Sequence, residues 1–439
     1  MLHSRRRQAG RARRAVPGEG RSGRRQRRLG LPAVAALLGA AFLVTVTAGS
    51  TSAAPKPPGW PEKLISQAGF SDLPVLLPGT RYAYGIVPAP GSSTSGPTGP
   101  AATSVFGQLD QINLANGSVN GGQVVFSGAA LFETGTTIGV LEPSSESVSA
   151  DGQATATQPP TSQILRTIVG NGVLLRRGNV VPALGDSGSG EVLATTSSSG
   201  AGGLWVATAA PAANSATTTA ADGHGTHGHA RSPAPPPAKA GDLLLVDPTT
   251  GVLIRRFPAP SSPIDDVMAS PSGAQLYVAG PLSNAPGQPW AIWCLDAANG
   301  RVLARAQLPI GDQPTLSATT DSGVWVTDNV GFTSSSELLT LPGLHAVVPG
   351  LVKVVQAKHS GSAYTVIFGS TAFSIGQFTV ACGSPSGALY TQQPLGYLDG
   401  NQERYEPFAL YHGTLFAIGL PNDGPPSGII AITPTGCRV

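Results

Sequence analysis

One phrase recurs along this chain and restricts its fold more than any other feature: a small residue, Gly, one or two spacers, then a short apolar and aromatic run. It reads Ser272-Gly273-Ala274-Gln275-Leu276-Tyr277-Val278, Ser322-Gly323-Val324-Trp325-Val326, His412-Gly413-Thr414-Leu415-Phe416 and Gly202-Gly203-Leu204-Trp205-Val206. Two further copies are read at Ser360-Gly361-Ser362-Ala363-Tyr364 and, more loosely, at Ser127-Gly128-Ala129-Ala130-Leu131-Phe132. The physics is that of a hairpin: Gly takes the turn position with positive φ, and the β-branched and aromatic residues after it suit a half-buried strand.

A second phrase alternates with the first, ending a strand in a Gly turn and restarting it, as in Val246-Asp247-Pro248-Thr249-Thr250-Gly251-Val252-Leu253 and Leu295-Asp296-Ala297-Ala298-Asn299-Gly300-Arg301-Val302. Weaker relatives end at Gly343, Gly387 and Gly436, so the five glycines stand 49, 43, 44 and 49 residues apart. Two hairpins per period make four strands, and a four-stranded sheet every 40 to 50 residues is the blade of a β-propeller, not a helical solenoid. The expected fold class is therefore all-β, a single β-propeller. The glycines at 128, 172, 203, 273, 323, 361 and 413 give seven blades, and an eighth if residues 60 to 120 hold one more.

Composition agrees with many turns and few helices: 57 Gly and 40 Pro in 439 residues, with only 12% charged. The interval from Gly203 to Gly273 is too long for one blade, and its excess coincides with residues 209–240, rich in Ala, Pro, Thr and Gly, which reads as an insertion within a blade. Little chain follows the last turn at Gly436. Closing the ring therefore calls for an early strand to complete the last blade, expected within Tyr82–Val87 or Leu109–Leu114, because closure removes exposed strand edges.

The formal charge of +3 hides an asymmetry. Residues 1–28 hold eleven Arg and one Glu, leaving 16 Lys and Arg against 23 Asp and Glu, a net of −7, for the remainder. A basic head, the apolar run Leu29–Val46 and the small residues Thr51-Ser52-Ala53-Ala54 have the three parts of a secretion signal with cleavage after Ala53. Arg27-Arg28-Leu29-Gly30-Leu31 resembles a twin-arginine motif, so the general and the twin-arginine export routes are both open. Uncleaved, the run is nearly long enough to anchor the chain in a membrane, the arginines staying inside. Arginines placed directly before an apolar run are explained by topology, so no nucleic-acid partner is expected. The layout is then 1–28 basic head, 29–53 signal peptide or anchor, 54–78 linker and 79–439 propeller. Three cysteines suit an oxidising compartment in which one pair bridges; Cys382 with Cys437 is the preferred pair, both lying near the end of the chain, with Cys294 left over.

Ser270-Pro271-Ser272-Gly273-Ala274-Gln275-Leu276-Tyr277-Val278 resembles the S-P-D-G-x-x-L-Y-V phrase of YVTN-type propellers, and Val324-Trp325-Val326-Thr327-Asp328-Asn329 is similar to their Y-V-T-N phrase. The likeness covers about two blades. This family, with its quinoprotein-like (PQQ-like repeat) and lactonase-like relatives, is united by fold more than by activity, so the resemblance implies a propeller and no particular reaction.

Two places hold candidate chemistry. In the insertion, Asp222, His224, His227 and His229 stand on a glycine-rich backbone. Neutral imidazoles at spacings of three and two suit Zn, Ni or Cu, and Asp222 adds an oxygen; Zn is the cofactor such a set would take. The competing reading is a low-complexity linker. The second place is the ring's centre. Asp266 and Glu406 each precede a hairpin glycine by seven residues, Asp265 and Asp312 are near, and Leu316 holds the corresponding place before Gly323. Carboxylates at equal offsets in separate blades face one another at a channel mouth, as lactonase-like propellers arrange metal ligands. The repeated Trp205, Tyr277, Trp325, Tyr364 and Phe416 read as core packing. No Ser, His and Asp set is spaced as a catalytic triad, and the sequence names no catalytic residue. The expectation is an exported, non-catalytic module of the cell envelope that binds a small ligand or an envelope protein. Metal delivery through the His segment and a channel enzyme are the alternatives.

Overall fold

A computed structural model describes residues 62–66, 70–88, 106–143, 163–167, 179–180, 192–208 and 241–437, apart from interruptions of at most six residues. All of these belong to one compact unit, residues 55–439.

Among the described residues the first element is β1 (Glu62–Ser66), and the strands form seven four-stranded antiparallel sheets. The first holds β2 (Val75–Leu76), β3 (Tyr82–Pro88), β4 (Phe106–Asn113) and β5 (Ser118–Phe126). The second holds β6 (Ala130–Glu133), β7 (Ile138–Pro143), β8 (Gln163–Thr167) and β9 (Asn179–Val180), and the third β10 (Val192–Ser198), β11 (Gly203–Thr208), β12 (Asp242–Val246) and β13 (Leu253–Pro258). The fourth is β14 (Asp266–Ala269), β15 (Gln275–Pro281), β16 (Trp290–Asp296) and β17 (Val302–Gln307). The fifth is β18 (Thr315–Thr320), β19 (Gly323–Val330), β20 (Thr333–Thr340) and β21 (His345–Val347), followed by a single short helix among the described residues, α1 (Gly350–Gln356). The sixth is β22 (Tyr364–Phe368), β23 (Thr371–Ile375), β24 (Thr379–Gly383) and β25 (Leu389–Pro394). The seventh joins β26 (Gln402–Tyr411), β27 (Thr414–Pro421) and β28 (Ile429–Ile432) to β1.

The first strands of the sheets touch in a closed cycle, β2 to β6, β10, β14, β18, β22, β26 and back to β2. This is a β-propeller. Its core is not one mass but seven, one in each gap between neighbouring sheets. In β15, Leu276 and Val278 pack with Trp205 and Leu245 of the third sheet, while Tyr277 and Ala279 pack with Leu316 and Val324 of the fifth. Strand alternation thus sends successive side chains to opposite neighbours, so these strands are buried on both faces and read as continuous apolar runs. The remaining gaps are filled in the same way, down to the one between the seventh and first sheets, where Phe416 and Ile418 meet Phe70 and Ile112. Of the repeated aromatics, Trp205, Tyr277 and Trp325 are fully buried and Phe416 nearly so.

The turns follow the two phrases. Gly273 adopts φ 70° and its N–H donates to Ser270 O at 2.8 Å. In the second phrase the Asp carboxylate organises the turn. Asp247 Oδ1 accepts from Thr249 N at 2.7 Å and Thr250 N at 3.0 Å, and Asp296 Oδ1 accepts from Ala298 N at 2.9 Å, the Asx arrangement that makes Asp a turn former.

Three expectations need correction. The closing strand is β1, not Tyr82–Val87 or Leu109–Leu114. Those two runs lie in β3 and β4, which are paired on both sides inside the first sheet and have no free edge to lend. β1 pairs β28 from Glu62 with Ile432 to Ser66 with Ile429, so residues 54–78, read as a linker, contain β1 and β2. The phrases at Gly128 and Gly361 mark first strands rather than second ones: Ala130–Glu133 is β6 and Tyr364–Phe368 is β22, and the sixth sheet's first hairpin turns at Gly369, φ 59°. The stretch around Gly172 lies outside the described residues, as do 209–240. The flanks of 209–240 are neighbours within the third sheet, Thr208 Oγ1 standing 3.4 Å from Asp242 N.

Candidate functional site: the central channel

The first strands enclose a cavity of about 1210 Å³. Residues of β2, β6, β14, β18, β22 and β26, or directly beside them, line it; the β10 side chains, Thr196 apart, lie outside the described residues. Its wall is mixed, with the apolar Val75, Leu131, Met268, Leu316, Val366 and Phe408 beside the hydroxyl-bearing Ser270, Thr315, Ser317 and Thr319. Three acidic residues interrupt it, Glu133, Asp266 and Glu406, and no Lys, Arg or His is among the lining residues.

Asp266 opens β14. Its Oδ1 accepts from Val267 N at 2.8 Å and its Oδ2 from Leu316 N at 2.8 Å, so one carboxylate bridges the fourth and fifth sheets. Burial pushes its pKa up to about 7; the two N–H donors pull it back in part, and Asp265 beside it adds to the rise. Glu406, in β26, is 8% exposed. Strand register places these two alike: Asp266 is opposite Ala279, two residues after Tyr277, and Glu406 is opposite Ile418, two residues after Phe416. In the fifth sheet the equivalent position belongs to Thr315, opposite Thr327, and not to Leu316. A β-bulge between Leu316 and Ala318 shifts the count by one, which seven-residue spacing in the sequence does not reveal.

Glu133 was not singled out by the sequence. It ends β6, opposite Ile138, and burial raises its carboxyl above the usual range. Its hairpin departs from the phrase: where other second strands carry an aromatic, β7 has Gly139. A Cβ at Gly139 would clash with the edge of the Phe132 ring, which reaches across from β6 to lie against it. The signal available in the sequence was Thr134-Gly135-Thr136-Thr137 directly before an apolar run.

The structure brings Asp266 and Glu406 to one cavity and leaves Asp265 half-buried beside it, not among the lining residues. Asp312, Asp222, His224, His227 and His229 lie outside the described residues. Among the described residues no three His, Cys, Asp or Glu side chains converge as a metal site, so Asp265, Asp266 and Glu406 do not form one.

Cys382 and Cys437 form a disulfide with Cα atoms 6.0 Å apart, tying β24 to the segment after β28. Cys294 is a free, buried thiol whose pKa burial raises to about 11, which leaves it protonated and unreactive.

No family model matches the sequence, and no curated protein does. Among solved structures, the β-propeller domain of the Trilobed protease from Pyrococcus furiosus, described as having an open velcro topology, is similar over 84% of this chain and 97% of its own. The identity is 7% and the TM-score 0.46. The acylaminoacyl peptidase of Pyrococcus horikoshii is similar over 82% of this chain at 9% identity, with TM-score 0.46. This chain spans about half of that peptidase, 50% of its length being covered.

Proposed function

We propose that this chain is an exported β-propeller whose seven sheets are the blades of one ring, and that it binds a small ligand in its central channel without transforming it. The observation that carries this reading is the channel itself: a void of about 1210 Å³, large enough for a small molecule, whose wall mixes apolar side chains with hydroxyl and carboxyl groups. Its three acidic residues stand on separate sheets, so that a bound molecule would be met from several sides. A disulfide and a basic, apolar and small-residue N-terminus support a place outside the cytoplasm.

The test is titration of the full-length protein with Nile red, a neutral apolar fluorophore, beside the variants Leu131→Trp and Met268→Trp, which narrow the channel from two sheets. Saturable blue-shifted emission at least tenfold weaker in both variants, with unchanged melting temperatures, is expected. Equal binding in all three proteins places the dye elsewhere and defeats the channel reading.

A further inference from the structure

We infer that one end of the ring is a lipid-facing surface: the starts of the outer strands β13 and β17 rest on a bilayer of anionic lipid, their aliphatic side chains entering it and their arginines meeting its headgroups. This reading concerns the rim and stands or falls independently of the channel.

Exposed apolar side chains are concentrated at one level of the ring. Of the nine large ones among the described residues, Val252, Leu253, Ile254, Val302 and Leu303 stand at the starts of β13 and β17, and Leu389 and Tyr390 take the same place in β25. The starts of β13 and β17 are joined. Arg255 Nη1 reaches from β13 to Ala297 O at 2.9 Å, and a Cβ on Gly300, just before β17, would meet the Phe257 ring at 2.6 Å. Both strands, with Arg301 directly before β17, carry four exposed arginines and no acid, whereas residues 29–439 sum to −7. Arg256 is paired with Asp242, and the nearby turn carboxylates of Asp247 and Asp296 accept from their own backbones. Aliphatic side chains beside arginines suit an interfacial lipid contact, where buried apolar area and attraction to anionic headgroups add. A partner's strand fits less well, because the bulges at Ile254 and Leu303 break the flat edge that strand pairing needs.

The entry of the chain into the ring favours a bilayer as the surface that lies there. β1 is the outer strand of the seventh sheet and begins as β13 and β17 do, opposite the end of the strand inside it: Glu62 faces Ile432, as Leu253 faces Val246 and Val302 faces Leu295. The sequence before Glu62 therefore joins the ring at the end that carries the arginines. It contains the apolar run Leu29–Val46, nearly long enough to span a bilayer. From Val46 to Glu62 a fully extended chain covers no more than about 55 Å. A run seated in a membrane thus tethers the ring by this end.

The test uses the full-length protein reconstituted in vesicles and labelled with an NBD fluorophore at Val302→Cys or at Val124→Cys. Val124 is exposed too but lies opposite Gln108, at the other end of an outer strand, and the native free thiol, Cys294, is buried away from the label. In vesicles of phosphatidylglycerol and phosphatidylcholine that carry nitroxide-labelled lipid, emission from position 302 is expected to fall at least twofold and emission from position 124 to stay unchanged. Arg301→Glu combined with Arg305→Glu should restore the emission at 302, and so should about 0.5 M NaCl with both arginines in place, since salt screens exposed charges. No quenching at 302, or equal quenching at both positions, overturns the proposal. Quenching at 302 that is as strong in phosphatidylcholine alone, or that survives both salt and the arginine variant, overturns the anionic surface. A blue-shifted but unquenched label at 302 marks a protein partner or a second copy and overturns the bilayer as well.

Discussion

Asp266 carries two burdens at once, holding neighbouring sheets together and facing the channel. A carboxyl that is buried resists losing its proton, and here the folded-state pKa, about 7, stands above the ordinary value of 3.8. The folded protein therefore binds this proton more tightly than the unfolded chain, and the contribution is fully present below about pH 4. It is lost as pH rises towards 7 and is constant above. Melting curves from pH 4 to 8 should show a fall in melting temperature for the native protein that is shallower in Asp266→Asn. Parallel curves would mean that the group titrates normally. Trp205 and Trp325 make a second comparison at this scale. Trp325 Nε1 donates to Pro385 O at 3.1 Å in the next sheet, whereas Trp205 Nε1 has no partner among the described residues. The matching carbonyl, Ala297 O, accepts from Arg255 Nη1 at 2.9 Å instead.

Among the elements, the outer strands share a device. β13, β17 and β25 each begin with a bulge, at Ile254, Leu303 and Tyr390, and each of these side chains is substantially exposed. A bulge at an outer edge twists the strand away from flat pairing and so discourages edge-to-edge association. The disulfide acts at the same scale, closing a loop of 55 residues between the sixth and seventh sheets. The chain-entropy model gives about 4 kcal/mol for such a loop. Cys437→Ser should accordingly lower unfolding stability by up to about 4 kcal/mol in denaturant melts, with no change when the native protein is first reduced. Element identity is also where the sequence was least legible. Ala130-Leu131-Phe132 and Tyr364-Thr365-Val366 follow glycines and are as apolar as true second strands, because both strand types are buried between sheets. Only pairing separates them. Asp266 and Glu406 were legible because their hairpins keep the phrase; Glu133 was hidden by Gly139, and Thr315 by the bulge that follows it.

For the whole molecule the decisive contact is the pairing of β1 with β28. Without it the seventh sheet keeps three strands and presents the unpaired backbone of Ile429–Ile432 as an edge. Deleting residues 62–66 should lower the melting temperature by several degrees and produce concentration-dependent association in sedimentation velocity; a monomer of native stability would mean that the ring does not depend on this closure. The repeat and its four-strand period were written in the glycine phrases, whereas the identity of the closing strand was not, since Glu62-Lys63-Leu64-Ile65-Ser66 carries no phrase and sits among prolines. That pairing also sets an order of events. Strand β1 must wait for a partner made some 370 residues later, Glu62 meeting Ile432, so the blade it completes cannot be finished until β28 has been made. Until then the growing chain has one strand in hand and nowhere to put it.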